Sequence, residues 1–130
     1  YLRKNNLKNR VIFLGKTNEV DEILCSSDLF LLPSEKESFG LAALEAMALK
    51  VPVISTNTGG LKELNINGNS GYTSDIGDID SMASNAIKIL SDKSLKKKYR
   101  SQAFENAKKY DIKKIIPLYE NIYNEAINIY

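Results

Sequence analysis

Four short runs of apolar residues, at positions 11–14, 29–32, 51–55 and, more weakly, 71–73, constrain this chain more than anything else in it. Each run is continuous rather than alternating, the pattern of a strand buried on both faces. Helical patterns separate them. Residues 18–26 carry Val20, Ile23 and Leu24, and residues 39–49 carry Leu41, Leu44, Met47 and Ala48 at steps of three and four. Strand and helix in alternation predict an α/β fold, a parallel sheet with right-handed crossovers and helices against it.

Beyond the last run the pattern is helical. Residues 78–90 predict a helix with Met82, Ala86, Ile87 and Leu90 facing inward, and residues 95–110 another, studded with Lys96, Lys97, Lys98 and Arg100. No glycine or aromatic pattern accompanies that basic run, which reads as a solvated face. Residues 112–130 carry Pro117 near their start and Tyr119, Ile122, Tyr123, Ala126, Ile127 and Tyr130 along one face. The expected organisation is one domain over residues 1–111 and a terminal helix over 112–130. A doubly wound domain commonly has six strands. Four strands, a helical-looking start and Tyr1 in place of an initiator Met carry the expectation that its first strands lie upstream.

Composition removes several function classes. The 130 residues are 43% hydrophobic and 26% charged, ordinary usage for a folded domain. Eighteen basic against 16 acidic side chains leave +2, too even a balance for nucleic acid or an anionic membrane as the main partner. No apolar run approaches the roughly 20 residues of a membrane span, and no signal pattern opens the chain. A single cysteine, Cys25, excludes an internal disulfide; its apolar surroundings predict a buried thiol and a reducing, cytoplasmic setting. Histidine is absent, so neither a histidine base nor a histidine-containing metal site can be built.

The stretch from Leu32 to Ala48 follows a predicted strand and opens a predicted helix, which places it at the carboxyl edge of the sheet, where open parallel sheets bind ligands. Ser38 reads as the N-cap, leaving the N–H groups of Phe39, Gly40 and Leu41 among the unpaired donors of the first turn. With the helix dipole they form a pocket for a phosphate or pyrophosphate oxygen. Gly40 allows a bulky ligand close to that backbone. Glu37 stands just before the helix and Glu45 about two turns inside it. The pair suits hydrogen bonds from sugar and ribose hydroxyls. Spacing alone leaves helix capping and the two acids of a glycosidase open beside that reading. Gly59 and Gly60 open another helix, either as a tight turn or as a close approach to ligand or to a facing domain.

The run Glu37-Ser-Phe-Gly-Leu-Ala-Ala-Leu-Glu-Ala-Met-Ala48 resembles the signature of glycosyltransferase family 4, retaining enzymes built from two facing Rossmann-like domains, the GT-B fold. The resemblance extends through Val51-Pro-Val-Ile-Ser-Thr-Asn-Thr-Gly-Gly60, Glu63 and Asn69-Ser-Gly-Tyr72, and upstream through Val11-Ile-Phe-Leu-Gly15 and Ser27-Asp-Leu-Phe-Leu-Leu-Pro-Ser34. It implies the C-terminal, donor-binding half of such an enzyme. Glu37 would then bond the donor sugar as the catalytic-site carboxylate, with Ser38, Phe39, Gly40 and Leu41 around sugar and distal phosphate. Glu45 would bond the ribose, and Leu14, Gly15 and Lys16 would flank the nucleobase, although Lys16 reads equally well as an exposed loop residue. Lys62 stands where the family often has proline, which bears on the stiffness of the turn. The wording Ser34-Glu-Lys-Glu-Ser-Phe-Gly40 is similar to a narrower subfamily, the N-acetyl-α-D-glucosaminyl L-malate synthases of bacillithiol biosynthesis. That resemblance implies a UDP-sugar co-substrate, no other cofactor, no metal, and an acceptor-binding N-terminal domain as partner. The terminal helix would cross to that domain, although packing on this domain's own sheet reads equally well; that domain would also supply acceptor groups, while the Arg and Lys that neutralise the departing diphosphate would come from upstream of this chain. Two other readings compete. A dinucleotide-binding domain wants a G-x-G-x-x-G turn, which does not occur. A non-catalytic sugar-nucleotide-binding module differs from the enzyme only in lacking the rest of the machinery.

Overall fold

The computed structural model describes residues 2–127. A 3-10 turn at Lys8–Arg10 leads into α1 (Val20–Cys25), then β1 (Phe30–Leu32), α2 (Leu41–Ala48), β2 (Val53–Thr56), α3 (Leu61–Leu64), β3 (Gly71–Ser74), α4 (Ile79–Ser91), α5 (Lys93–Ala107), a 3-10 turn at Lys108–Tyr110 and α6 (Ile112–Ile127). The three strands form one sheet in the order β1-β2-β3, both pairs parallel, with Leu32 opposite Ser55 and Ser55 opposite Thr73.

The predicted 51–55 run becomes the middle strand and is closed to solvent throughout. Adjacent residues point to opposite faces. Val53 therefore joins Ala46, Met47, Leu61 and Leu64 beneath α2 and α3, while Ile54 joins Ile89 and Tyr99 beneath α4. Helix α5 reaches both layers, with Tyr99 in the second and Ala103 and Ala107 in the first. Asp92 is held between α4 and α5 at φ −110°, ψ 104°, which ends one helix, and its carboxylate accepts from Ser94 N at 2.8 Å and Leu95 N at 2.9 Å, which starts the next. Asp78 caps α4 through Ser81 N at 3.0 Å, and those Ser81 hydrogen bonds hold its carboxyl below the usual range. The basic run is mostly solvated as expected. Lys96 is the exception, donating to Asp28 at 2.9 Å and keeping that carboxyl low.

Several expectations fail for identifiable reasons. Val11, Ile12, Phe13 and Leu14 form no strand and are 40%, 82%, 84% and 59% exposed. A strand needs a neighbour for its N–H and C=O groups, and no described segment supplies one. Cys25 is exposed, at the end of a one-and-a-half-turn helix of which only Leu24 is buried. In α2 the buried residues are Ala43, Ala46 and Met47, whereas Leu41 is 65% exposed. The small alanines let α2 lie close against α5, and the large leucine is left on the outer flank. In α4 the stripe is Met82, Ala86 and Ile89, at steps of four and three, so Ile87 and Leu90 fall to its side and are exposed. Pro117 lies inside α6, near its start, and removes one helical N–H donor there. No residue of α6 is buried; Tyr130, the last apolar position of its stripe, lies outside the described residues.

Asn65, 1% exposed, ties the sheet together from below. Its amide donates to Val53 O at 3.2 Å, Ser55 Oγ at 3.0 Å and Tyr72 O at 3.0 Å, and its carbonyl accepts from Ser70 Oγ at 3.1 Å. Truncation would strip buried carbonyls of their donor. Asn65→Ala is expected to cost about 2–4 kcal/mol, read as a lowered urea midpoint at unchanged slope; a loss below about 1 kcal/mol would show that the network is replaceable.

Candidate functional site

Parallel strands align their carboxyl ends, so the segments after β1 and β2 emerge side by side. The first, residues 33–40, carries Glu37, partly buried, and Ser38, exposed. It enters α2 through Gly40, the actual N-cap, at φ +92°, ψ +48° and without a side-chain capping bond. That corrects the expected cap at Ser38. A left-handed residue turns the chain into the helix two positions later, and the Ser38 carbonyl is engaged elsewhere, accepting from Gly60 N at 3.2 Å. A Cβ at Gly40 would stand 2.5 Å from Leu61 Cδ2, so α3 packs directly beneath the cap.

Since Gly40 O already accepts from Leu44 N and no side chain caps the helix, the first-turn N–H groups have no acceptor among the described residues. Leu41 and Ala42 carry theirs on exposed residues, while Gly40 is buried. The positive end of the dipole thus opens outward with free donors, an arrangement that takes an anionic oxygen. Glu45 is exposed one turn beyond Leu41, on the same flank. Neither the Glu37 nor the Glu45 carboxylate meets a donor or a cation among the described residues. Both have acceptor capacity left for a ligand's hydroxyls.

Phe39 is anchored edge-on against Tyr110, with ring centroids 5.4 Å apart, and the Tyr110 hydroxyl donates to Glu63 O at 3.3 Å. Leu14, Gly15 and Lys16 are exposed; Gly15 sits at φ +67° with open space around it. No hydrogen bond among the described residues joins those three to the 33–40 segment or to α2. The structure therefore brings residues 37–41 and Glu45 onto one edge, to which 14–16 make no hydrogen bond among the described residues. Among the described residues no group of three or more His, Cys, Asp or Glu is placed to hold a metal, and no helix is long and apolar enough to cross a membrane.

Thr56, Thr58 and Tyr110 underpin this edge and were not legible as site residues. Thr56 Oγ1 donates to Ser34 O, and Thr58 Oγ1 to Glu35 O at 3.2 Å. Nothing local in their sequence distinguishes them from strand-end and loop threonines. For the two threonines the signals were a place at and just past the end of the next strand and inclusion in the run 51–60 that carries the resemblance; Tyr110 had neither.

Comparison with known proteins bears on the family and the fold. The family described as "Glycosyl transferases group 1" matches residues 1–110. N-acetyl-alpha-D-glucosaminyl L-malate synthase of Bacillus anthracis is 43% identical over 123 residues, 94% of this chain and 32% of that protein. The 2-deoxystreptamine N-acetyl-D-glucosaminyltransferase of Niallia circulans is 33% identical over 126 residues, 95% and 32% respectively. Sucrose-phosphate synthase from Thermosynechococcus elongatus superposes with a TM-score of 0.89 at 26% identity, over 99% of this chain and 33% of that one. The chain spans about a third of the length of the curated relatives it matches. Its architecture is that of the C-terminal, Rossmann-like half of a GT-B fold. By sequence match and by fold, the chain belongs to the group 1 glycosyl transferases.

Proposed function

We propose that this chain is the donor-binding half of a retaining, family 4 glycosyltransferase, with UDP-N-acetylglucosamine as donor and L-malate as acceptor. The observation that carries the reading is the uncapped N-terminus of α2, flanked by two carboxylates without protein partners among the described residues. Unpaired N–H groups at the positive end of a dipole suit a diphosphate, and free carboxylates suit the hydroxyls on either side of it. The two N-acetylglucosaminyl-transferring relatives support the choice of sugar, and the one named for malate supports the acceptor.

In this reading Glu37 bonds hydroxyls of the donor sugar, and backbone amides from Ser38 to Leu41 hold sugar and distal phosphate. Glu45 bonds the ribose hydroxyls, and Leu14, Gly15 and Lys16 flank the base once the rest of the fold encloses them. The bond from the anomeric carbon to the diphosphate breaks with its electron pair left on UDP, and one to the acceptor oxygen forms as that hydroxyl's proton passes to the departing diphosphate, so negative charge collects on the UDP as the transfer proceeds. Fixed N–H dipoles aimed at that charge need not reorganise as it develops. No metal and no cofactor beyond the co-substrate enters this scheme, and the additional cations the diphosphate calls for would come from outside this chain. Helix α6 is the contact to an acceptor-binding domain. Its stripe, with Tyr119, Ile122, Tyr123 and Ile127 57–72% exposed, is the kind of surface that such a contact covers.

Calorimetric titration of the intact protein with UDP, UDP-N-acetylglucosamine and GDP-mannose tests the donor assignment. UDP and its sugar conjugate are expected to bind and GDP-mannose not. Glu45→Ala should weaken both uridine ligands by about 1.5–3 kcal/mol, the range for hydrogen bonds to a charged group. Glu37→Ala should leave UDP affinity within about twofold and lower the transfer rate about a hundredfold. If both variants bind both ligands as tightly as the parent, the site is misassigned. For α6, Ile122→Asp combined with Tyr123→Asp should lower the melting temperature of the intact protein by several degrees, as about 1–2 kcal/mol of apolar contact is lost. An unchanged melting temperature would leave that stripe without a domain to cover.

A further inference from the structure

The turn after β2 holds the loop that carries Glu37, and it does so with almost no slack. Thr56 Oγ1 donates to Ser34 O, Thr58 Oγ1 to Glu35 O at 3.2 Å, and Gly60 N to Ser38 O at 3.2 Å. Between these bonds the Glu37 carbonyl lies over Gly59. A Cβ on Gly59 would stand 1.7 Å from Glu37 O and 2.9 Å from Glu37 C. At Gly60 it would stand 2.5 Å from Ser38 O and 2.8 Å from Phe39 Cα. All of these atoms are backbone, so no side-chain rotation relieves the overlap. Gly59 also sits at φ +48°, in the left-handed region that glycine occupies without strain. The sequence left this pair open between a tight turn and a close approach to ligand or facing domain. The close approach is to the chain's own site loop.

We infer that residues 56–60 are a positioning clamp, with Gly59 and Thr58 as positioning residues that fix the height of Glu37 against the donor sugar. Ser34, Glu35 and Ser38 are held through their carbonyls and Glu37 by contact, so a loop with exposed side chains at Glu35, Lys36 and Ser38 acquires a rigid backbone. Glu45 lies one turn beyond Leu41 in α2, outside the clamped segment, so the clamp acts on the sugar end of the ligand more than on the nucleotide end. A displacement of about 1 Å at a reacting centre can cost about a hundredfold in rate. The inference rests on the assignment of Glu37 to the sugar.

The test is sugar transfer and UDP binding by the intact protein carrying Gly59→Ala, Thr58→Val or Thr58→Ser, beside Glu37→Ala. Gly59→Ala is expected to lower kcat at saturating donor at least thirtyfold while UDP affinity stays within threefold. Thr58→Val should lower kcat about fivefold, and Thr58→Ser, which keeps the hydroxyl, should restore it to within twofold. Folded Gly59→Ala that retains kcat, or that loses UDP and transfer in parallel, overturns the clamp. Should Gly59→Ala not fold, the Thr58 pair decides: equal rates for Val and Ser overturn it. Full activity in Glu37→Ala would instead overturn the sugar assignment on which the clamp depends.

Discussion

Everything in this domain follows from the burial of β2 on both faces. A strand with Val53 and Ile54 fully buried toward opposite layers must be covered from both sides, and parallel neighbours can be reached only by crossovers. Helices α2 and α3 are those crossovers, and α4 with α5 closes the other side. The same constraint aligns the carboxyl ends of β1 and β2. Because Leu32 pairs with Ser55, the chain just past β1 lies beside Thr56, and the hydroxyl there reaches Ser34 O. The clamp on the site loop is thus a continuation of the ladder by side chains after the strands have ended.

The electrostatics are local for the same reason. A chain of net charge +2 has no broad field with which to gather a diphosphate. What it has is a helix whose first turn is deliberately left without a side-chain cap. A serine, aspartate or asparagine at the cap would typically stabilise the helix by about 1 kcal/mol and would occupy the amides an anion needs. Helices α4 and α5 in the same molecule are capped by aspartates, Asp78 and Asp92, whereas α1 and α3 share with α2 the lack of a side-chain cap. What sets α2 apart is that its open first turn stands beside Glu37 and Glu45, carboxylates with no protein partner among the described residues.

What could be read from the sequence was whatever depends on nearby residues. The runs at 29–32 and 51–55 and the helices that follow them were legible from composition and period, and the 71–73 run proved one residue longer. The segment 11–14 was not, because an apolar run specifies that a strand is possible and not that a partner strand exists beside it. In α2 periodicity marked Leu41, Leu44, Met47 and Ala48, but close packing against α5 selected the alanines for the interior and turned Leu41 out. Ser38 fitted the chemistry of a cap and missed its geometry, since a φ of +92° at Gly40 moves the start of the helix downstream. The location of Glu37 and Glu45 was legible from where a strand-to-helix turn must lie. Their lack of protein partners was not, because it depends on Lys and amide groups elsewhere in the chain failing to reach them. Asn65 reads locally as a turn residue, and only the sheet above it turns its amide into a buried hub.

Tyr110 joins the two parts of the chain that the sequence divided at residue 111. Its ring backs Phe39 at the site, its hydroxyl reaches Glu63 O at the end of α3, and the next residue, Asp111, accepts from Lys113 N at 2.9 Å and so starts α6. One residue, Asp111, separates Tyr110 from α6, an interval too short to act as a free linker. Lys50, just past the end of α2, and Lys108, in the 3-10 turn after α5, stand 5.0 Å and 4.8 Å from the Phe104 ring centroid and brace the same corner. The ring that immediately precedes α6 in the chain is therefore the one packed behind the site loop, and the placement of residues 108–111 belongs to any account of the site's geometry.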